Sequence, residues 1–138
     1  MEYKMVYDDL KNAITALKES IMAYDEHCES SEVLQRALRS AVVHDFEVAY
    51  ELAWKFMKRW MDTNIHPSIS MNVSRKEFYR RCAERGMIEE LEDWWVFHDA
   101  RNKTSHTYNQ LIADYVLGIA RQFVPSAWDL ARQLEAMS

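Results

Sequence analysis

The stretch SEVLQRALRSAVVHDFEVAYELAWKFMKRWMD, residues 31–62, decides the fold. Leu34, Leu38, Val42, Phe46, Ala49, Ala53, Phe56 and Trp60 recur every three or four residues, the period of one helix face. Val43, Tyr50, Trp54, Met57 and Met61 make a second apolar stripe beside the first. The spacing predicts one helix of roughly 48 Å at 1.5 Å per residue. A helix apolar over so wide an arc belongs at the centre of a bundle, with neighbours on two sides. Alternatively, part of the arc, at Tyr50, Trp54 and Met57, faces another subunit. Glu51 and Lys55 form an i,i+4 pair on the polar strip.

Working outward, the 138 residues contain only two glycines and two prolines, so there are few places to stop a helix and too few turns for a β sandwich. A hydrophobic content of 49% with 12% aromatics excludes disorder, and the length fits one domain over residues 1–138. No run approaches the ~20 apolar residues of a membrane span. The opening MEYKMVYDDL is acidic and amphipathic, unlike a secretory signal, so a cytoplasmic protein is expected. Cys28 and Cys82 lack metal-type spacing and read as thiols in a reducing compartment. The net charge of −5 argues against a general nucleic-acid coat but leaves room for a local basic patch.

Four more helices are predicted around the long one. Tyr3, Val6, Leu10, Ala13, Leu17, Ile21 and Tyr24 form one stripe on a helix of about six turns, ended by DEHCESS, where Ser30 or Ser31 caps the next helix. TNIHPSISMNV, around Pro67, has no period and reads as a loop. Ser74 and Glu77 then form a capping box, and the helix they start stops at Gly86, which suits a left-handed C-cap. Residues 88–103 carry Leu91, Trp94, Trp95 and Phe97 or His98 on a fourth helix. A fifth begins near Asn109 with Leu111 or Ile112, Tyr115, Ile119, Phe123, Leu130 and Leu134, and Pro125 is expected to kink it or end a turn. The fold expected is all-α: an antiparallel, up-and-down bundle of about five helices.

Several chemistries have no residues to carry them. There is no Gly-rich phosphate loop, no HExxH and no Gly-Ser followed by Asp-x-Asp, so the chain does not transfer nucleotides by itself. The five histidines are scattered without ligand spacing, and neither a metal nor a cofactor is expected. His44-Asp45 and His98-Asp99 are sequence neighbours that point about 100° apart on a helix, so neither is a dyad by position.

The segment RNKTSHTYN, residues 101–109, concentrates the candidate chemistry. On an unbroken helix His106 and Tyr108 would face nearly opposite ways. However, Asn102, Thr104, Ser105, Thr107 and Asn109 favour caps and turns, so the helix is expected to end here, with Asn109 or Thr107 capping the next. Such a bend permits a cluster without requiring one. The segment reads either as a decorated helix junction or as a site. Arginine offers a fixed charge and a donor fork suited to phosphate, and histidine passes protons near neutrality. Together, Arg101 and His106 suit metal-free RNA cleavage, in which His106 takes the 2′-hydroxyl proton and Arg101 stabilises charge on phosphorus.

Arg101-Asn102-x3-His106-x-Tyr108 resembles the R-x4-H-x-Y motif of HEPN domains, the all-helical higher eukaryote and prokaryote nucleotide-binding proteins. With YELAWKFMK at 50–58 and SRKEFYRRCAERGMI at 74–88, the chain looks like the small nucleotidyltransferase substrate-binding branch of that superfamily. The resemblance implies a homodimer that brings two Arg/His motifs together, and a separate minimal nucleotidyltransferase as partner. It further implies toxin-type, metal-independent ribonuclease activity from Arg101 and His106, oriented by Asn102, and silenced by adenylylation of Tyr108. An older label for the same branch implies a non-enzymatic subunit presenting substrate to the nucleotidyltransferase. RNA or nucleotide binding needs local positive charge, for which Arg75, Lys76, Arg80, Arg81, Arg85 and Lys103 are the candidates, unless they form only a solvated helix face.

Overall fold

A computed structural model describes residues 6–66 and 69–138. Tyr3, the first half of the opening MEYKMVYDDL and Pro67 lie outside the described residues. Among the described residues there are five α-helices, one 3₁₀ turn and no strand: α1 (Asp8–His27), α2 (Glu32–Asn64), α3 (Arg75–Glu84), α4 (Leu91–Lys103), the turn Thr104–His106, and α5 (Gln110–Met137). The expected all-α bundle is the observed one.

Local chemistry sets most of the boundaries. Ser31 starts α2 by accepting the Leu34 N–H at 3.0 Å, and Ser74 starts α3 by accepting that of Glu77 at 3.1 Å. The capping box is only half made. The Glu77 carboxylate pairs with Arg80 and Arg81 instead of reaching back, because two guanidinium groups within one turn outcompete a single amide. Gly86, at φ 76°, ends α3: its N–H reaches the Ala83 carbonyl and the Met87 N–H reaches that of Cys82, both at 3.0 Å.

Pairs along the helices give their directions. Tyr7 meets Phe56 and Ser20 bonds Asp45, so α1 runs antiparallel to α2. Lys11 pairs with Glu135 and Asp25 with Arg121, so α1 is antiparallel to α5 as well. Phe46 against Phe123 and Arg39 beside Asp114 make α2 and α5 parallel, while Trp94–Phe123 and Asp99–Tyr115 make α4 antiparallel to α5. The long helices thus alternate up and down, and α3 is inserted between α2 and α4. Phe123 is the hub, touching the rings of Phe46, Tyr50, Trp94 and Phe97. Each such edge-on or tilted pair adds about 0.5–1.5 kcal/mol beyond area burial.

Of the two outcomes expected at Pro125, an end is excluded: α5 runs on through it as one element, with Phe123, Ala127 and Leu130 buried on either side. Two expectations are corrected. Tyr115 is not in the core: it is 38% exposed and its hydroxyl bonds Asp99. The second stripe of α2 does not wait for another subunit. Tyr50 and Met57 are fully buried within the chain, and Trp54 packs edge-on against Phe78 of α3. α3 and α4 cover that arc. Cys82 is buried, which pushes its thiol pKa up, and Cys28 is half-buried; both are free thiols.

Candidate functional site

The RNKTSHTYN segment breaks between helices, as its cap-forming residues predict. α4 stops at Lys103, Thr104 to His106 make one tight 3₁₀ turn, and Asn109 caps α5 through its Oδ1, which accepts the N–H groups of Leu111 and Ile112. Thr104, the buried residue of the turn, pins it: its hydroxyl donates to the Arg101 carbonyl at 2.7 Å and accepts from Arg101 Nη1 at 3.2 Å.

This turn brings His106 and Tyr108 together but not Arg101 with either. The two rings stand edge to face at 6.0 Å, and both are exposed, Tyr108 at 86%. Arg101 is half-buried. Its Nε lies 3.3 Å from Glu51 Oε1, not aligned as a hydrogen bond, and that N–H is left without an acceptor among the described residues. The guanidinium therefore holds a charge partner yet keeps donor capacity.

Asn102 points the other way, toward a buried polar cluster. Its Nδ2 lies 3.4 Å from His98 Nε2. His98 Nδ1 is 2.8 Å from the Tyr50 hydroxyl, which also accepts Arg75 Nη1 at 2.9 Å and stands 2.5 Å from the Tyr79 hydroxyl. With Asn102 donating to Nε2, the imidazole proton sits on Nδ1 and is donated to the Tyr50 hydroxyl, which in turn donates its hydrogen bond to Tyr79. Burial pushes the phenols of Tyr50 and Tyr79 up. Burial first, and then the charge of Arg75, hold His98 below the ordinary imidazole range. Sequence reasoning missed this cluster.

The basic candidates divide accordingly. Arg75 is withdrawn from solvent, with its guanidinium 3.7 Å over the Trp54 ring as well as on Tyr50. Arg81 donates to the Ile69 carbonyl and pairs with Glu77, and Arg80 also pairs with Glu77. Lys76 lies over the Trp95 ring, and Lys103 is held by Asp99 at 2.9 Å. Each of these five already has a partner within the chain; among the described residues only Arg85 of the candidates has no side-chain partner.

Sequence reasoning also missed Arg36 and Arg39. Together with Ser40 they line one side of a cavity of about 220 Å³, with Thr107 and Tyr108 opposite and Val43 and Ala113 as its apolar part. Their i, i+3, i+4 spacing, continued by Val43 at i+7, was visible in the sequence; their meeting with Tyr108 is tertiary. A larger cavity of about 530 Å³ lies elsewhere, between the α3–α4 connection at Gly86–Glu90 and the second half of α5. Among the described residues no group of three or more His, Cys, Asp or Glu side chains is placed to hold a metal ion, and no helix is long and apolar enough to cross a membrane.

Known proteins resemble this chain in sequence and fold. Probable ribonuclease HepT of Haemophilus influenzae is 30% identical over 103 residues, covering 74% of this chain and 70% of that protein. HI0074, also from Haemophilus influenzae and described as having the fold of a substrate binding domain of a nucleotidyltransferase, superposes with a TM-score of 0.87. It is 26% identical, over 94% of this chain and 98% of that one. The family model for nucleotidyltransferase substrate binding protein like proteins spans residues 5–136. The chain belongs to the nucleotidyltransferase substrate binding protein like family.

Proposed function

We propose that this chain, acting as one helical domain in the cytoplasm, is the HEPN-type subunit of a two-component, toxin–antitoxin-like nucleotidyltransferase system. In this reading it is a metal-independent endoribonuclease. His106 takes the proton of a ribose 2′-hydroxyl, the 2′-oxygen attacks the adjacent phosphorus, and the 5′-oxygen–phosphorus bond breaks, with a proton returned to the leaving oxygen. Arg101 offsets the charge that builds on phosphorus. A separate minimal nucleotidyltransferase adds an adenylyl group to Tyr108: the phenol oxygen bonds to the α-phosphorus of a nucleoside triphosphate and pyrophosphate leaves.

The observation that carries the reading is the exposed His106–Tyr108 pair on a turn that directly follows Arg101. A base and a modifiable phenol in open solvent, next to a half-satisfied guanidinium, suit a site completed from outside. Within one chain Arg101 bonds Thr104 rather than His106, so a second copy is the source of the missing half. The family description and the naming of a relative as a probable ribonuclease support the same reading. Expression without the partner tests it: wild type should degrade RNA and arrest growth, and His106→Ala should do neither. Equal growth with equally intact RNA would overturn the nuclease.

A second reading, a non-enzymatic subunit presenting substrate or nucleotide to the partner, is favoured by the 530 Å³ cavity, which is large enough for a small ligand. It predicts co-elution with the nucleotidyltransferase and no effect of His106→Ala on cells.

A further inference from the structure

The geometry points to a phosphate-holding subsite made by Arg36 and Arg39 beside Tyr108, one that takes a nucleoside monophosphate. It deepens the reading of Tyr108 as the adenylylated residue and rests on that reading for its tethered occupant.

Cations elsewhere near the motif already face carboxylates: Arg101 lies beside Glu51 and Lys103 is bound to Asp99. Arg36 is different: among the described residues it has neither an ion-pair nor a hydrogen-bond partner. Arg39 lies one turn on, with its side chain only 13% exposed, and its single carboxylate contact, to Asp114, is long at 3.5 Å. An arginine that is shielded from water and loosely paired retains most of its donor fork for an incoming oxyanion. Ser40 adds a hydroxyl on the same helix face, and no carboxylate lines the cavity.

Size fixes which part of a nucleotide fits. About 220 Å³ falls below the ~300 Å³ at which sites for whole small ligands begin. The space suits a phosphate with part of a ribose and leaves a base outside. Tyr108 forms the opposite wall, so a phosphate attached to its oxygen starts at the mouth of the cavity. Closing on the arginines would then draw the modified tyrosine against α2 and away from His106. The same subsite accepts the phosphate of a free nucleotide.

Titration of the intact, unmodified chain with AMP, inorganic phosphate and adenosine tests the subsite, followed by calorimetry or by amide shifts at Thr107 and Tyr108. AMP and phosphate should bind and adenosine should not. Arg36→Ala with Arg39→Ala should weaken AMP at least tenfold, and Arg36→Ala alone, at an exposed and unpartnered position, should weaken it severalfold. Asp114→Asn, which frees Arg39 of its competing carboxylate, should tighten AMP severalfold, a gain that misfolding cannot produce. AMP binding equal in wild type and the double variant, or no AMP binding by wild type, would overturn the proposal. Chain adenylylated at Tyr108 should lose the free-AMP response if the tethered group occupies the subsite; an undiminished response would make free nucleotide the occupant. Tyr108→Phe should still bind AMP. If that variant is nevertheless adenylylated, the Tyr108 reading fails while the arginine subsite stands.

Discussion

Two polar clusters flank the end of α4, and they are built on opposite terms. In the first, Tyr50, Tyr79, Arg75 and His98 are closed on one another, and their donors and acceptors are spent inside the protein. In the second, His106 and Tyr108 face water, and Arg36 nearby is unpartnered. Buried polar groups stabilise only when they are fully paired, and so such a cluster is fixed in place. Exposed groups held on a short, pinned turn keep their bonding capacity for a ligand or another chain. Asn102 joins the two, since its amide rests on His98 while its neighbour Arg101 turns toward the motif. The difference separates holding from working.

One chemical change made at two tyrosines should break the comparison if it is wrong. Tyr50→Phe strands Arg75 Nη1, His98 Nδ1 and the Tyr79 hydroxyl together, and should lower unfolding stability by about 1–3 kcal/mol. A urea midpoint equal to wild type would mean that the buried cluster holds nothing.

A smaller effect comes from His98. Its folded-state pKa is lowered, by burial first and Arg75 second. The unfolded chain therefore binds this proton more readily, and stability rises with pH across the window between the folded value and about 6.5. Its contribution is fully present above that window and is lost as pH falls through it. Acidification from pH 7 should lower the urea midpoint of wild type more than that of His98→Gln; parallel curves would remove the imidazole from the network. The least effect on stability is expected from Tyr108→Phe, within about 0.5 kcal/mol of wild type, because its exposed hydroxyl has no hydrogen-bond partner among the described residues. Intact mass after incubation with the nucleotidyltransferase should show an adenylyl gain in wild type and none in this variant, and the same gain in both would release Tyr108 from its role.

Features that depend on near neighbours were legible in the sequence. Ser31, Ser74, Gly86 and Asn109 all cap helices where their types and spacing place them, and the run of cap-forming residues after Arg101 does break the helix. The turn that presents His106 and Tyr108 was thus readable, and the resemblance gave it a chemistry. Features that depend on distant partners were not readable. Arg75 looked like one of a solvated basic run, yet its partner Tyr50 lies 25 residues away. Tyr50 looked like part of a subunit face because its period does not say that α3 and α4 cover it. Arg36 and Arg39 showed only a shared helix face, since an arginine left free or loosely paired is identified only when the neighbouring elements are in place. Pro125 was half readable for the opposite reason. The local rule left a kink or an end open, and the helix does not end there, because Phe123, Ala127 and Leu130 are buried on either side.

The most direct test of the working role of the exposed turn is RNA cleavage by the purified chain in excess EDTA, with wild type and His106→Ala compared in the same assay. Wild type should cleave without metal, and His106→Ala should be slower by about 10²–10⁴-fold with an unchanged unfolding midpoint. Equal cleavage by the two proteins, or cleavage by wild type only after a divalent metal is added, would contradict the account.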